Sequence, residues 1–293
     1  MRISSNYEYQ LYTSEIDNTT SAYTNAQQVV STGKQINQIS DNPAGAMSAV
    51  TMTGLQSQIN QFNSNLNSAK VYLTNNEAAM TSVTNLLNQA YQIGVQGANS
   101  TTSPAALTNL ASQITDIQSS LVNIANTQNS TGQYIFAGQQ TNTQPFTTAN
   151  GKVAYAGDSN NINIEVSPGQ NMTVNTPGAP LFTNIYNQLE SLKQDLASGS
   201  FSKISNTDIA NIKGSQSKIS DMNGQFGAQI DTVANLTTAN TARSTALTSS
   251  ISNVVDADMA TAIVNMTQAQ NAYQAALEAT AQGSKFSLVN FLG

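Results

Sequence analysis

From Leu55 onward the apolar residues fall at alternating steps of four and three: Ile59, Phe62, Leu66, Ala69, Leu73, Met80, Val83, Leu87, Ala90 and Gly94, with Asn76 the one clearly polar member. A repeat of about 3.5 residues held over so many turns leaves a helix few options. It must lay one face along neighbouring helices, side by side, as coiled coils do. At about 1.5 Å per residue, roughly forty residues make a rod some 60 Å long rather than a compact knot.

The same alternation resumes after "GANSTTSP" as Leu107, Leu110, Ile114, Ile117, Leu121 and Ile124, where Ser103 and Pro104 read as N-cap and first helical residue. It returns late in the chain as Ile209, Ile212, Gln216, Ile219, Asn223, Phe226, Ile230, Val233, Thr237, Asn240, Ser244, Leu247, Ile251 and Val254. Polar members of that seam cost stability and restrict which registers fit. A shorter helix through Ile185, Leu189, Leu192 and Leu196 is closed by Gly199. The fold predicted is mainly α with a small β insert, a long antiparallel helical bundle formed by the two halves of the chain.

The insert occupies residues 133–182. Tyr134 and Phe136 alternate as a strand does, as do Val153 and Tyr155, then Ile162, Ile164 and Val166, then Met172 and Val174. "NG", "GDSNN" and "SPGQ" supply the turns between them, and Pro145 forbids helical continuation. With seams resuming on both sides, the insert reads as dispensable to the bundle.

Charge narrows the function. Only 9% of residues are Asp, Glu, Lys or Arg, against about 25% in ordinary domains. A net charge of −6 with ten scattered Lys and Arg leaves no basic patch for nucleic acid or for an anionic membrane surface. His, Cys and Trp are absent, which removes thiol and imidazole catalysis and metal sites of the Cys/His type. No apolar run reaches bilayer length, and "MRISSNYEYQ" has no apolar core behind its charged start. Export, if it occurs, is expected to use no cleaved signal peptide.

The two ends form a thin amphipathic pair. One carries Ile3, Tyr7, Leu11, Ala22, Ala26, Val29, Gly33 and Ile36; the other carries Met259, Ala262, Ile263, Met266, Ala269, Tyr273, Ala276 and Leu277. Small residues stand where a monomer's core calls for Leu or Ile, so burial offsets little of the ordering entropy. These helices await a partner. The candidate assembly contacts are Ile3, Tyr7, Leu11, Val29, Ile36, Met259, Ile263, Met266, Tyr273 and Leu277, of which Ile263, Met266, Tyr273 and Leu277 form a face with no evident partner inside one chain. Residues 1–45 with 256–293 are read as a terminal assembly domain, 46–132 with 183–255 as the bundle, and 133–182 as the insert domain.

Other clusters read as structure. Asp158 and Glu165 are spaced like a hydrolase pair but fit a turn and a solvated strand. Asp256 and Asp258 begin like a calcium loop, yet Met259 and Ala260 follow, so helix capping explains them. In "SDNP" Asp41 or Asn42 makes a local side-chain bond and Pro43 starts a helix, which places the end of the first helix near Ile39. No catalytic residue, cofactor site or metal site emerges.

Four stretches carry a family resemblance: "STGKQINQISDNPAGAMSA", "GQYIFAGQQTNTQPF", the insert "GKVAYAGDSNNINIEVSPGQNMTVNTPGAPLF", and "DADMATAIVNMTQAQNAYQAAL". Together they resemble the flagellin superfamily, and within it the branch at the hook–filament junction; Asn42 stands where a second Asp is usual. The resemblance implies a self-assembling extracellular subunit of the bacterial flagellum, seated on hook-associated protein 1 and bearing flagellin. It also implies passage through the flagellar type III export apparatus with the help of an export chaperone. Two alternatives stay open: a short flagellin that forms the filament itself, and a carbohydrate-binding adhesin acting through the β insert.

Overall fold

The computed structural model describes residues 2–149 and 151–292, with side chains at Tyr7 and, within those bounds, over 9–282. The chain divides into two compact units, 60–241 and the discontinuous pair 1–59 with 242–293. Its long helices are α1 (Arg2–Thr32), α2 (Pro43–Gly97), α3 (Pro104–Ala125), α4 (Ala179–Ala197), α6 (Ile209–Val255) and α7 (Met259–Leu292), with a short α5 (Phe201–Lys203) and a π-helical turn over Ile204–Asp208. The architecture is mainly α with a small β insert, as the periodicity predicts.

In the contiguous unit the alternating series is the buried face of α2. Leu66, Ala69, Leu73, Asn76, Met80, Val83, Leu87 and Ala90 are all buried. α6 adds Ile212, Ile219, Phe226 and Val233, and α3 and α4 add their own stripes to the same core. Gln216 Nε2 donates to Asn88 Oδ1 at 2.9 Å and Lys213 Nζ lies 5.2 Å from the centre of the Tyr91 ring, which sets α2 and α6 antiparallel. Ser103 caps α3 by accepting the Ala106 N–H, with Pro104 behind it, as read from sequence. Asn76, the lone polar seam residue, donates to the Val174 carbonyl at 3.1 Å and to that of Tyr72 at 2.8 Å. Its polarity fastens the chain returning from the insert.

That insert is two hairpins: β1 (Phe146–Ala149) with β2 (Lys152–Tyr155), and β3 (Asn163–Ser167) with β4 (Gln170–Thr173), the second bulged between Glu165 and Ser167. Residues 134–138 are not a strand. Ile135, Phe136 and Ala137 are buried in succession, which alternation forbids, because the segment is covered on every side. Gly138 sits at φ +68°, and a Cβ there would lie 1.9 Å from Asp158 Oδ1. That oxygen accepts the N–H groups of Gln139 at 2.8 Å and Asn160 at 3.1 Å. The Tyr155 hydroxyl donates toward the carbonyls of Asp158 at 2.6 Å and Phe136 at 3.0 Å. The "YIFAG" and "YAGD" motifs are thus two halves of one clasp. The Gln139 N–H holds the Asp158 carboxyl below its usual range, while burial and then the Asp158 charge push the Tyr155 hydroxyl up.

The insert is not independent of the bundle. Phe136, Phe146, Val166, Met172 and Val174 belong to the core that holds Leu66, Leu73 and Leu189. Phe146 meets Phe182 of α4 edge-on at 5.5 Å, and Phe136 meets it at 4.7 Å. This packing argues against the expectation that the bundle stands without the hairpins. Period-two spacing marks which strand residues point one way, but not what they point at.

In the discontinuous unit α1 lies along α7. It ends at Thr32 rather than near Ile39. Gly33, at φ +70°, takes the left-handed conformation that stops a helix, and its carbonyl accepts the Ala257 N–H at 2.9 Å. Gln35 N–H donates to the Val255 carbonyl at 2.8 Å, so the segment leaving α1 pairs with the break between α6 and α7. The "SDNP" turn then forms as read. Asp41 Oδ2 accepts the N–H groups of Asn37 and Gln38, Asn42 Oδ1 accepts that of Gly45, and Pro43 opens α2.

Candidate assembly interface

The interface begins at a cap. Asp258 Oδ1 accepts the Ala260 N–H at 3.0 Å and Oδ2 accepts the Thr261 hydroxyl at 3.1 Å. The first of these bonds does most to hold its carboxyl below the ordinary range. With the helix start fixed, α7 presents two faces.

One face is already occupied. Ala262 is buried and Met266, Ala269, Tyr273 and Ala276 are half-buried; on α1 the half-buried residues are Ile16, Thr19, Thr20, Tyr23, Ala26, Val29 and Val30. Tyr23 and Tyr273 stack with centroids 6.1 Å apart and planes 2° from parallel. Met266 and Tyr273 therefore face into the α1–α7 seam, which corrects their assignment to an unpartnered face. Four-three spacing identifies a seam but gives its partner no name, and here that partner is the chain's other end.

The second face is bare. Ile263 is 48% exposed and Leu277 40%, with Met259 and Val264 beside them. On α1, Tyr7 is 65% exposed, and Tyr9, Leu11 and Tyr12 are exposed too. Ile3 lies outside the described side chains. Ile36 is half-buried and helps line a shallow groove of about 380 Å³ with Ile39, Val50, Ile251 and Val255. Sequence reading missed Val264, Ile39, Met47 and Val50, all exposed. The usable signal for them was apolar residues falling beside the alternating series rather than on it.

Charge contributes little here. Among the described side chains of α1 and α7 the charged ones are Glu15, Asp17 and Glu278. Asp158 and Glu165 are both engaged in turns, Glu165 Oε1 accepting the Gly169 N–H at 3.0 Å. Among the described residues no three carboxylates, His or Cys gather to hold a metal, and no described helix is long and apolar enough to cross a membrane.

Long helices, a β insert at mid-chain and an exposed apolar face on α7 define a mainly helical class of proteins. The sequence matches the bacterial flagellin N-terminal helical region over residues 3–141 and the bacterial flagellin C-terminal helical region over residues 203–292. The chain belongs to the flagellin family. Flagellar hook-associated protein 3 of Escherichia coli (strain K12) is 27% identical over 305 residues, spanning 95% of this chain and 96% of that one. Two solved structures from Legionella pneumophila share the fold. Flagellar hook-associated protein 3 has a TM-score of 0.65 at 14% identity, covering 70% of this chain and 98% of that one. The flagellar junction protein FlgL has a TM-score of 0.56 at 14% identity, covering 63% and 98%. Within the family, the chain stands with the hook-associated protein 3 members.

Proposed function

We propose that this chain is a structural adaptor of the bacterial flagellum. It assembles with copies of itself at the hook–filament junction, on hook-associated protein 1, and offers flagellin a surface on which to polymerise. The observation that carries this reading is the outer face of α7 at Met259, Ile263, Val264 and Leu277, large apolar residues left bare beside an occupied seam. The relatives' names, flagellar hook-associated protein 3 and flagellar junction protein, support this reading. Export through the type III apparatus, with a chaperone holding the chain before passage, belongs to the same proposal. Gold-labelled antibody on intact flagella tests it: a single band between hook and filament is the expected result. Label along the whole filament would overturn it in favour of a short flagellin.

Ordering of the ends is part of the same reading. The α1–α7 seam is rich in Ala and Thr, and burial at about 25 cal/mol per Å² returns little from such side chains against backbone ordering of about 1–2 kcal/mol per residue. In dilute subunits the amides of α1 and α7 are expected to exchange with solvent far faster than those of α2 between Leu66 and Ala90. Equal, strong protection of both sets would refute coupled ordering and assembly.

A further inference from the structure

Across the seam of α1 and α7, rich in Ala and Thr, two phenol rings meet. Tyr23 and Tyr273 lie 6.1 Å apart between ring centroids, with planes 2° from parallel. That is an offset stack, in which ring edges overlie one another. Both residues are half-buried, so a small solute can reach the rings without bulk water surrounding them. No hydrogen bond within the described residues ties either phenol, although Tyr72 and Tyr155 elsewhere in the chain both use theirs. Packing alone would be served as well by Phe, which buries the same ring without a hydroxyl to keep hydrated.

Once thiols and indoles are missing, phenols are the side chains that give up one electron most readily. This chain has no Cys, no Trp and no His. An electron vacancy placed on it settles on tyrosine, and at this pair a second phenol already lies alongside. We propose that Tyr23 and Tyr273 are a modification site, at which a one-electron oxidant generated from a peroxide joins the two ends as dityrosine. Each phenol gives one electron to the oxidant and its hydroxyl proton to water. The two phenoxyl radicals then form one carbon–carbon bond between the positions beside their C–O carbons. The hydrogen on each bonded carbon passes through solvent to the oxygen of its own ring, and both rings are phenols again. Two tyrosines and one hydrogen peroxide thus give one dityrosine and two waters. The product turns a thin seam into a covalent one, in a chain that has no cysteine with which to make a disulfide. This inference is independent of the role in the flagellum.

Met266, about two turns back along α7, is another oxidisable side chain of the seam, but it takes up oxygen to give a sulfoxide. Mass separates the two outcomes, since dityrosine loses two hydrogens and the sulfoxide gains an oxygen. The test irradiates the dilute full chain with ruthenium(II) tris-bipyridyl and persulfate, itself a peroxide. The expected product runs as a single chain on a denaturing gel, has lost two hydrogens, and yields a fragment linking the peptides of Tyr23 and Tyr273. Tyr23→Phe and Tyr273→Phe keep the rings but should lose that fragment completely, whereas Tyr9→Phe should retain it. The parent chain unfolded in urea should lose it too, because the stack and not chance encounter brings the phenols together. Links confined to Tyr7, Tyr9 and Tyr12, or formed only between separate chains, would overturn the site. So would a Tyr23–Tyr273 link that forms equally well in urea.

Discussion

A chain carrying Ile263→Asp should fold and melt as the parent does but fail to assemble. Ile263 is 48% exposed, so the new carboxylate stays hydrated in the free subunit and changes its stability by no more than about 0.5 kcal/mol. In the proposed contact that face is covered, and the described side chains of α1 and α7 offer the carboxylate no Lys or Arg. An unpaired buried charge costs about 4 kcal/mol, which weakens the contact roughly a thousandfold. Leu277→Asp should behave alike, whereas Gln268→Glu on the same helix serves as the conservative control. Met266→Asp is expected to differ from all three, because it strikes the seam with α1 and should lower the stability of the subunit itself. Motility and electron microscopy of the junction read out assembly, and thermal melting reads out folding. Normal junctions in the Ile263→Asp strain would remove this face from the interface.

The second large effect lies in the insert. Phe146→Ala should cost about 3–5 kcal/mol and lower the cooperative melting of the helices, not of the hairpins alone. Phe146 is wholly buried, packs on Phe182 at 5.5 Å and on Tyr155 at 5.0 Å, and is held through its backbone on both sides by Asn126. Asn126 Oδ1 accepts the Phe146 N–H at 2.9 Å and Asn126 Nδ2 donates to its carbonyl at 2.8 Å. Replacing residues 139–181 by a short linker would remove the same ring together with Val166, Met172 and Val174, so loss of helical cooperativity is the expected result there as well. Chemical denaturation followed by far-UV circular dichroism decides it. A loss below about 1 kcal/mol in Phe146→Ala would mean that the ring's cavity is filled by rearrangement and that the bundle tolerates the insert's absence.

Much of this architecture is legible in the amino acids because period and punctuation are local. The α2 and α3 seams, the Ser103 cap, the Asn42 cap with Pro43 and the Asp258 cap all follow from residues within a turn of one another. What escapes is set by contacts remote in sequence. Gly33 looks like one more small residue until the α6–α7 break pairs with it. Asn76 reads as a defect in its seam, and Val174 makes it a fastener. Of the interface residues, Ile263 and Leu277 are bare while Met266 and Tyr273 are half-buried against α1, and the helical pattern of α7 alone treats all four alike.

The discontinuity of one unit has a consequence in time. Residues 60–241 are a continuous stretch, so everything their core needs is available as soon as that stretch is free. The stacked pair Tyr23 and Tyr273, by contrast, closes a loop that contains the whole of that stretch. Contacts this distant along the chain come late, after nearer ones have shortened the effective loop. If the chain emerges from a narrow channel beginning with its first residues, α1 arrives early and waits, and its seam is completed only by the last helix to appear. Whatever binds α1 during that interval competes directly with α7, and the pairing of the two ends then reports that the chain has arrived whole.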